Sequence, residues 1–288
     1  MKIGKENHSH MARIHISKES NCWSISMEKI ERKSLLYRTG VEYGDFTINH
    51  VFCCAHGCKY PCYAFNLQKR FGNVKTYEEW LKPKIVSNAL ELLDREIPKY
   101  KNEIKYVQLC FMTDPFMKGY KEVGNLSIKI IDRLNKDNIP AMVLTKGYLP
   151  KRLENTSKIN QYGITLVSLD EKFREKYEPY TVNYESRVKA LRYLHNKGFK
   201  TWVSIEPYPT PNICEQDLMK VLKKIKFVDY IVFGRLNYNK EVSNFKNYKM
   251  FFNNCANIVV DFCIKNNIKY HIKDGTITDL KLLDKLKP

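Results

Sequence analysis

No segment of this chain runs apolar long enough to cross a bilayer, and no apolar leader follows Met1. Its nine cysteines are an odd number, which no closed disulfide framework uses in full. These absences argue against a membrane-bound or secreted protein and point to the reducing cytoplasm, where thiols stay free. The cysteine-rich region also lacks a neighbouring C-x2-C or H-x3-H pair, with which a structural zinc site would complete four ligands. Acidic residues are few, 31 against 49 basic, for a formal net charge of +18. That balance favours phosphate-rich partners through long-range attraction and counterion release. Against this, the chain is heavy in Lys, Asn, Ile and Tyr, as an AT-rich genome would encode. It also has no arginine-rich arm or aromatic-basic repeat of a known nucleic-acid reader. With 288 residues, 43% of them hydrophobic, it can bury one large core or two modest ones.

What the chain does have is a dense thiol cluster. Cys53, Cys54, Cys58 and Cys62 fall within ten residues, just after the apolar alternation of 46–52 that predicts a strand. With Cys54, Cys58 and Cys62 as the set, the spacing is C-x3-C-x3-C, three thiolates around one object on a short loop. Three ligands leave one coordination position open. Zinc would need a fourth, for which Cys53 or His56 is available. A cubane iron–sulfur cluster on three cysteines instead keeps one iron free to chelate a small molecule. The cysteines alone favour the cluster and leave zinc open. Cys255 and Cys263 read as small core residues, and Cys22 and Cys214 carry no partner signal.

Beyond the loop, helical and strand periodicities alternate. Helices are predicted over 77–99, 126–136, 150–161, 184–196, 215–224 and 248–265. Strands are predicted over 106–112, 141–146, 164–169, 201–205, 230–233 and 269–272. Pro98 marks the first helix end and Gly198 caps the fourth. Six or seven βα units imply a parallel α/β sheet, with too few strands for a closed eight-unit barrel; an open, incomplete (β/α)6-type barrel fits. Polar residues recur at the carboxyl ends of its strands: Thr113 and Asp114, Lys146, Ser168, Ser204 and Glu206, Arg235 and Asn237. Each taken alone reads as a loop residue or a helix cap.

Residues 54–60 with Cys62-Tyr63-Ala64, then Thr113-Asp114-Pro115-Phe116, Thr145-Lys146, Ser168, Glu178-Pro179, Arg187 and Ser204-Ile205-Glu206-Pro207, resemble radical S-adenosylmethionine enzymes of the spore photoproduct lyase-like branch. The resemblance covers about residues 46 to 240. It implies a radical SAM core over 46–240, an N-terminal extension over 1–45 that supplies edge strands or a cover, and a closing helix and strand over 241–288. It also implies a [4Fe–4S] cluster on Cys54, Cys58 and Cys62, which chelates S-adenosylmethionine and reductively cleaves it to a 5′-deoxyadenosyl radical. Thr113 and Asp114 would then accept from the methionine amino group, and Lys146 and Ser168 would hold its carboxylate. Tyr60 and Tyr63 would lie near the adenine, with Arg187 and Glu206 as further pocket residues. An electron donor such as flavodoxin or ferredoxin is the implied partner, and a nucleic acid or nucleotide the implied substrate. The competing reading is a nucleic-acid-binding protein whose cysteine loop is stapled by a metal. One departure stands out. The family spaces its last two cysteines by two residues, and here Pro61 adds a third, so the loop must bulge or take a cis bond. Cys110, four residues before Asp114, reads as a buried small thiol in the strand.

Overall fold

The computed structural model describes residues 27–279; Cys22, Trp23 and Ile25 lie outside them. The strands are β1 (Glu28–Ile30), β2 (Leu36–Arg38), β3 (Phe46–Ile48), β4 (Val51–Phe52), β5 (Lys84–Val86), β6 (Val107–Leu109), β7 (Ala141–Thr145), β8 (Gln161–Thr165), β9 (Lys200–Tyr208), β10 (Tyr230–Arg235) and β11 (Lys269–Ile272). Eight of them form the main sheet, in the order β11-β10-β9-β8-β7-β6-β3-β2. From β3 to β11 every neighbouring pair is parallel, and β2 is an antiparallel edge on β3. The sheet does not close, because β2 and β11 end it on either side. The turn after β2 spans toward the far edge, where Glu42 Oε2 meets His271 Nε2 at 2.7 Å and the Asp274 amide at 3.0 Å. Strands β1, β5 and β4 form a separate small sheet.

Strand periodicity sorts side chains between two faces. On β9, Val203 and Ile205 join the large core, which also contains Leu92 and Leu93 of the helix Ala89–Tyr100, Ile130 and Ile131 of Lys121–Lys136, Leu191 of Tyr184–Asn196 and Phe252 of Tyr248–Asn266. Trp202, just before Val203 and on the other face, packs with Met142 and Val232 inside the curve of the sheet. Gly163 on the adjacent strand makes room for that indole, since a Cβ there would stand 2.5 Å from the ring.

Several expected elements differ. The periodicity over 77–99 is broken: a one-turn helix Tyr77–Trp80 gives way to β5, and the long helix begins only at Ala89. Pro83 explains the break, because it lacks an N–H and pushes Lys82 to extended backbone. Pro98, in contrast, lies inside the helix, which ends at Tyr100. The stretch 150–161 yields only a short 3-10 turn, Lys151–Asn155, where Thr156 turns its hydroxyl back onto the Leu153 carbonyl at 2.7 Å. The strand over 164–169 begins three residues earlier and stops at Thr165. Gly163 in its middle hides it from any propensity reading. The strand over 46–52 divides between the two sheets as β3 and β4, and that over 106–112 ends at Leu109, before Cys110 at φ 57°. The helix over 184–196 and the strand over 269–272 have the expected bounds.

Candidate active site

The cysteine loop leaves β4 through Cys53, at φ 68°, and enters the helix Tyr63–Arg70 with Cys62 at its N-cap. Backbone and side-chain bonds pin it from three sides. The Cys54 amide donates to Trp80 O (3.0 Å), the Lys59 amide to Tyr177 O (2.8 Å), and Tyr77 Oη to Cys58 O (2.6 Å). Gly57 turns at φ 65° with the Tyr180 ring only 2.5 Å from where a Cβ would sit, so the loop closes there only with glycine. The extra residue is accommodated with Tyr60–Pro61 trans; among the described residues the cis bond is Glu206–Pro207.

Cys54, Cys58 and Cys62 are free and half-buried, and they act on one another. Burial pushes the Cys54 thiol well up, with Asp114 and Cys58 adding to it. Burial pushes Cys58 up to about 11 even though Lys146 opposes it. Cys53 shares an apolar cluster with Cys54 and Cys62 but has different charged neighbours. It is buried against Ala64, Val74 and Trp80, and after burial its thiol responds to Lys84, Glu28 and Glu79, not to the other thiols. Among the described residues no three His, Cys, Asp or Glu side chains converge closely enough to hold a single metal ion. Three soft, mutually coupled thiols beside a buried ammonium suit a larger, anionic thiolate-ligated group, the type the sequence favours.

Asp114 follows β6 and is fully committed. His56 Nε2 meets its Oδ2 at 2.8 Å, the Lys146 amide donates to the same oxygen at 2.7 Å, and Thr145 Oγ1 and the Phe116 amide donate to Oδ1, each at 2.7 Å. Four donors fill a carboxylate's acceptor sites. Burial raises its pKa, but His56 and these donors more than reverse that and hold it below the usual range. Asp114 is therefore an anchor tying the cysteine loop, through His56, to the end of β7. It offers no open acceptor for a methionine ammonium.

Lys146, Glu178, Arg187 and Tyr60 make a second buried knot. Lys146 Nζ lies 2.7 Å from Glu178 Oε1 and 3.7 Å from Cys58 Sγ, and it donates to Tyr60 Oη. Tyr60 in turn donates to Glu178 and stacks on Tyr177 at 6.1 Å. Arg187, fully buried, spends its guanidinium on Glu178 Oε2 (2.8 Å), Thr165 O (2.8 Å), Val182 O (2.7 Å) and Thr181 Oγ1 (2.6 Å). Two cations against one carboxylate leave the knot with one positive charge, facing a cysteine thiol. Burial alone would lower the Lys146 pKa, but Cys58 and Glu178 together hold it above its usual value.

The remaining expected residues are more dispersed. Thr113 donates to Val51 O at 3.1 Å, and Tyr63, half-exposed, donates to Phe111 O. Glu206 sits across the sheet ends on β9, paired with Lys273 Nζ at 3.1 Å. Burial raises its pKa and Lys273 only partly offsets this; Lys146 is also near enough to act on it. Ser168 is buried beside Cys214 (3.7 Å) and bonds the Asp170 amide, with no bond to the other site residues. The structure thus joins the three thiols, Tyr60, Asp114, Lys146 and Arg187, and leaves Ser168 apart. Sequence reading gave no role to His56 in this anchor, nor to Glu178 or Thr145. The adjacent pairs Glu178-Pro179 and Thr145-Lys146 were the available signal.

The superfamily model for radical SAM matches residues 48–225, which contain all of these groups except Lys273. An uncharacterized protein of Methanocaldococcus jannaschii is 27% identical over 229 residues, covering 78% of this chain and 82% of that protein. An uncharacterized protein of Acidianus two-tailed virus is 27% identical over 200 residues, covering 65% of this chain and 64% of that one. Spore photoproduct lyase complexed with dinucleoside spore photoproduct superposes with a TM-score of 0.63 at 13% identity, over 85% of this chain and 80% of that one, a likeness of fold.

Proposed function

The chain belongs to the radical SAM superfamily, an enzyme family whose members bind a [4Fe–4S] cluster and S-adenosylmethionine, and on that premise we propose that Cys54, Cys58 and Cys62 hold the cluster here. When bound, that group supplies the electron that cleaves the sulfonium of S-adenosylmethionine to a 5′-deoxyadenosyl radical, which abstracts hydrogen from the substrate. The observation that carries the reading is the buried Lys146–Glu178–Arg187 knot, one positive charge in excess, set 3.7 Å from the Cys58 thiol. A cation there favours thiolate over thiol and lowers the cost of placing further negative charge on the loop.

The chain's own residues then divide the work. Glu178, held in turn by Arg187, fixes the Lys146 ammonium, which faces the thiols and would take the carboxylate of S-adenosylmethionine in exchange for its bond to Tyr60 or Cys58. Asp114 and His56 fix the loop that presents Cys54. Thr113, Tyr60 and Tyr63 are positioning or binding groups around the same strand ends, Ser168 past the end of β8 stands apart from them, and Glu206 with Lys273 faces the substrate side. Residues 46–240 act as the core of this assembly. The strong positive charge of the chain supports a nucleic acid or nucleotide as the substrate, and a small redox protein such as flavodoxin or ferredoxin as the electron source. The test is to reconstitute the full chain anaerobically, reduce it with dithionite and assay S-adenosylmethionine turnover. The expected product is 5′-deoxyadenosine. None from protein fully loaded with iron would overturn the reading.

A further inference from the structure

A cleft of about 500 Å3 opens between the small sheet, the edge strand β2 and the helix Tyr63–Arg70. It falls within the range of small-ligand sites, and of the residues given a role above it is lined by Thr113 alone. Its polar groups are set. Asn49 Oδ1 accepts from the Met112 amide at 3.2 Å, and Gln68 accepts from Asn73 at 2.8 Å. Its charges are less committed. Arg32 is tied only through its backbone, to Asn88, and among the described residues its guanidinium makes no hydrogen bond or ion pair, though its charge reaches the buried His50. Lys84 pairs with Glu28 at 2.7 Å in a solvent-exposed contact of little worth. The lining carboxylate is Glu31 and Glu28 sits on Lys84, so charge is balanced and, among the described residues, Arg32 is the lining cation with open donors. At one rim the Tyr37 ring is 42% exposed.

The cleft also shares a wall with the cysteine loop. Phe52, Trp80 and Met112 line it, and the same side chains belong to the apolar cluster against which Cys54 and Cys62 pack. The Cys54 amide donates to Trp80 O.

We propose that this cleft seats one nucleotide of a single nucleic-acid strand, its phosphate on Arg32 and Lys84 and its base against Tyr37. Resting on the nucleic-acid reading of the substrate above, this names the chain's contact with the strand and places it beside the cysteine loop. A guanidinium without a partner among the described residues and an amine, lining one cleft with an exposed aromatic ring, are the elements that grip a phosphate and an unstacked base.

The test is fluorescence anisotropy of the full chain with a short fluorescein-labelled single-stranded DNA near physiological ionic strength. The double variant Arg32→Ala/Lys84→Ala is compared with Lys129→Ala/Lys136→Ala, which removes the same charge from a different cleft. The first pair is expected to weaken binding by about ten-fold or more, and Tyr37→Ala to weaken it further, while the second pair changes it by less than about two-fold. Equal losses in the two pairs, or no binding by the unaltered chain, would overturn the proposal. So would adenosine monophosphate that binds the cleft as tightly as the strand. Formation of 5′-deoxyadenosine in the absence of DNA is followed in the same variants and should be unchanged. If it is absent from the unaltered chain while strand binding behaves as expected, the radical reading fails and this one stands.

Discussion

Glu178 and Glu206 are both drawn out of water near the carboxyl ends of the parallel strands, yet their settings are opposite. Glu178 is flanked by Lys146 and Arg187, and although burial pushes its carboxyl up, the two cations hold it far below the usual range. Glu206 has one close cation, Lys273, and a second carboxylate, Glu42, in reach, so burial prevails and its carboxyl is held above the usual range. One end of the site is therefore electrostatically locked and the other adjustable. The locked end faces thiols and needs a fixed positive charge; the adjustable end faces whatever enters the curve of the sheet. Buried pairs of the first kind hold geometry more than they add stability, so they are costly to break from one side only.

The largest expected effect comes from emptying the locked end. Replacing Cys54, Cys58 or Cys62 by Ala should each remove essentially all cluster iron, measured by iron and sulfide analysis after anaerobic reconstitution. Cys214→Ala and Cys255→Ala, in buried core positions, should retain it. Next, Glu178→Ala leaves Lys146 and Arg187 buried without their shared partner and should cost about 3–5 kcal/mol of folding stability in urea titrations. Loss of less than about 1 kcal/mol would mean that solvent already screens the knot.

The smallest effect belongs to the adjustable end and shows itself through pH. Glu206 has a folded pKa above its ordinary 4.5, so the stability it contributes is fully present below about pH 4.5 and is lost as pH rises through the raised folded value. Glu206→Gln has no charge to bury and should lack that decline. The two proteins should diverge as pH rises through the raised value, read from urea midpoints. Glu178 runs the other way, its stabilisation present above about pH 4.5 and lost as pH falls toward its depressed folded value. Parallel pH curves for the unaltered chain and Glu206→Gln would remove the contrast between the two ends.

Much of the locked end was legible before the structure. The thiol spacing, Lys146 after β7 and the alternation of strands and helices all follow from local pattern, because βα units repeat the same periodicity switch. What hid was tertiary. Nothing local tells Asp114 that His56, Thr145, Phe116 and Lys146 will saturate it, since those partners come from three separate segments. Glu178 stood at a helix end with no periodic signal, and its two cations arrive from 32 residues earlier and nine later. Strand β5 was concealed because Tyr77–Trp80 and Ala89–Tyr100 happen to be in phase on either side of it. The open end was harder still. Lys273 lies beyond the last strand, and the Glu42–His271 contact joins residues 229 apart.

The central claim is that three thiols beside the Lys146 knot hold a cubane cluster and not a single ion. Metal and sulfide analysis of the anaerobically reconstituted full chain tests it most directly. About four irons and four acid-labile sulfides per chain are predicted, all lost in Cys58→Ala. One tightly held zinc with no sulfide, retained when Cys58 is replaced, would contradict it.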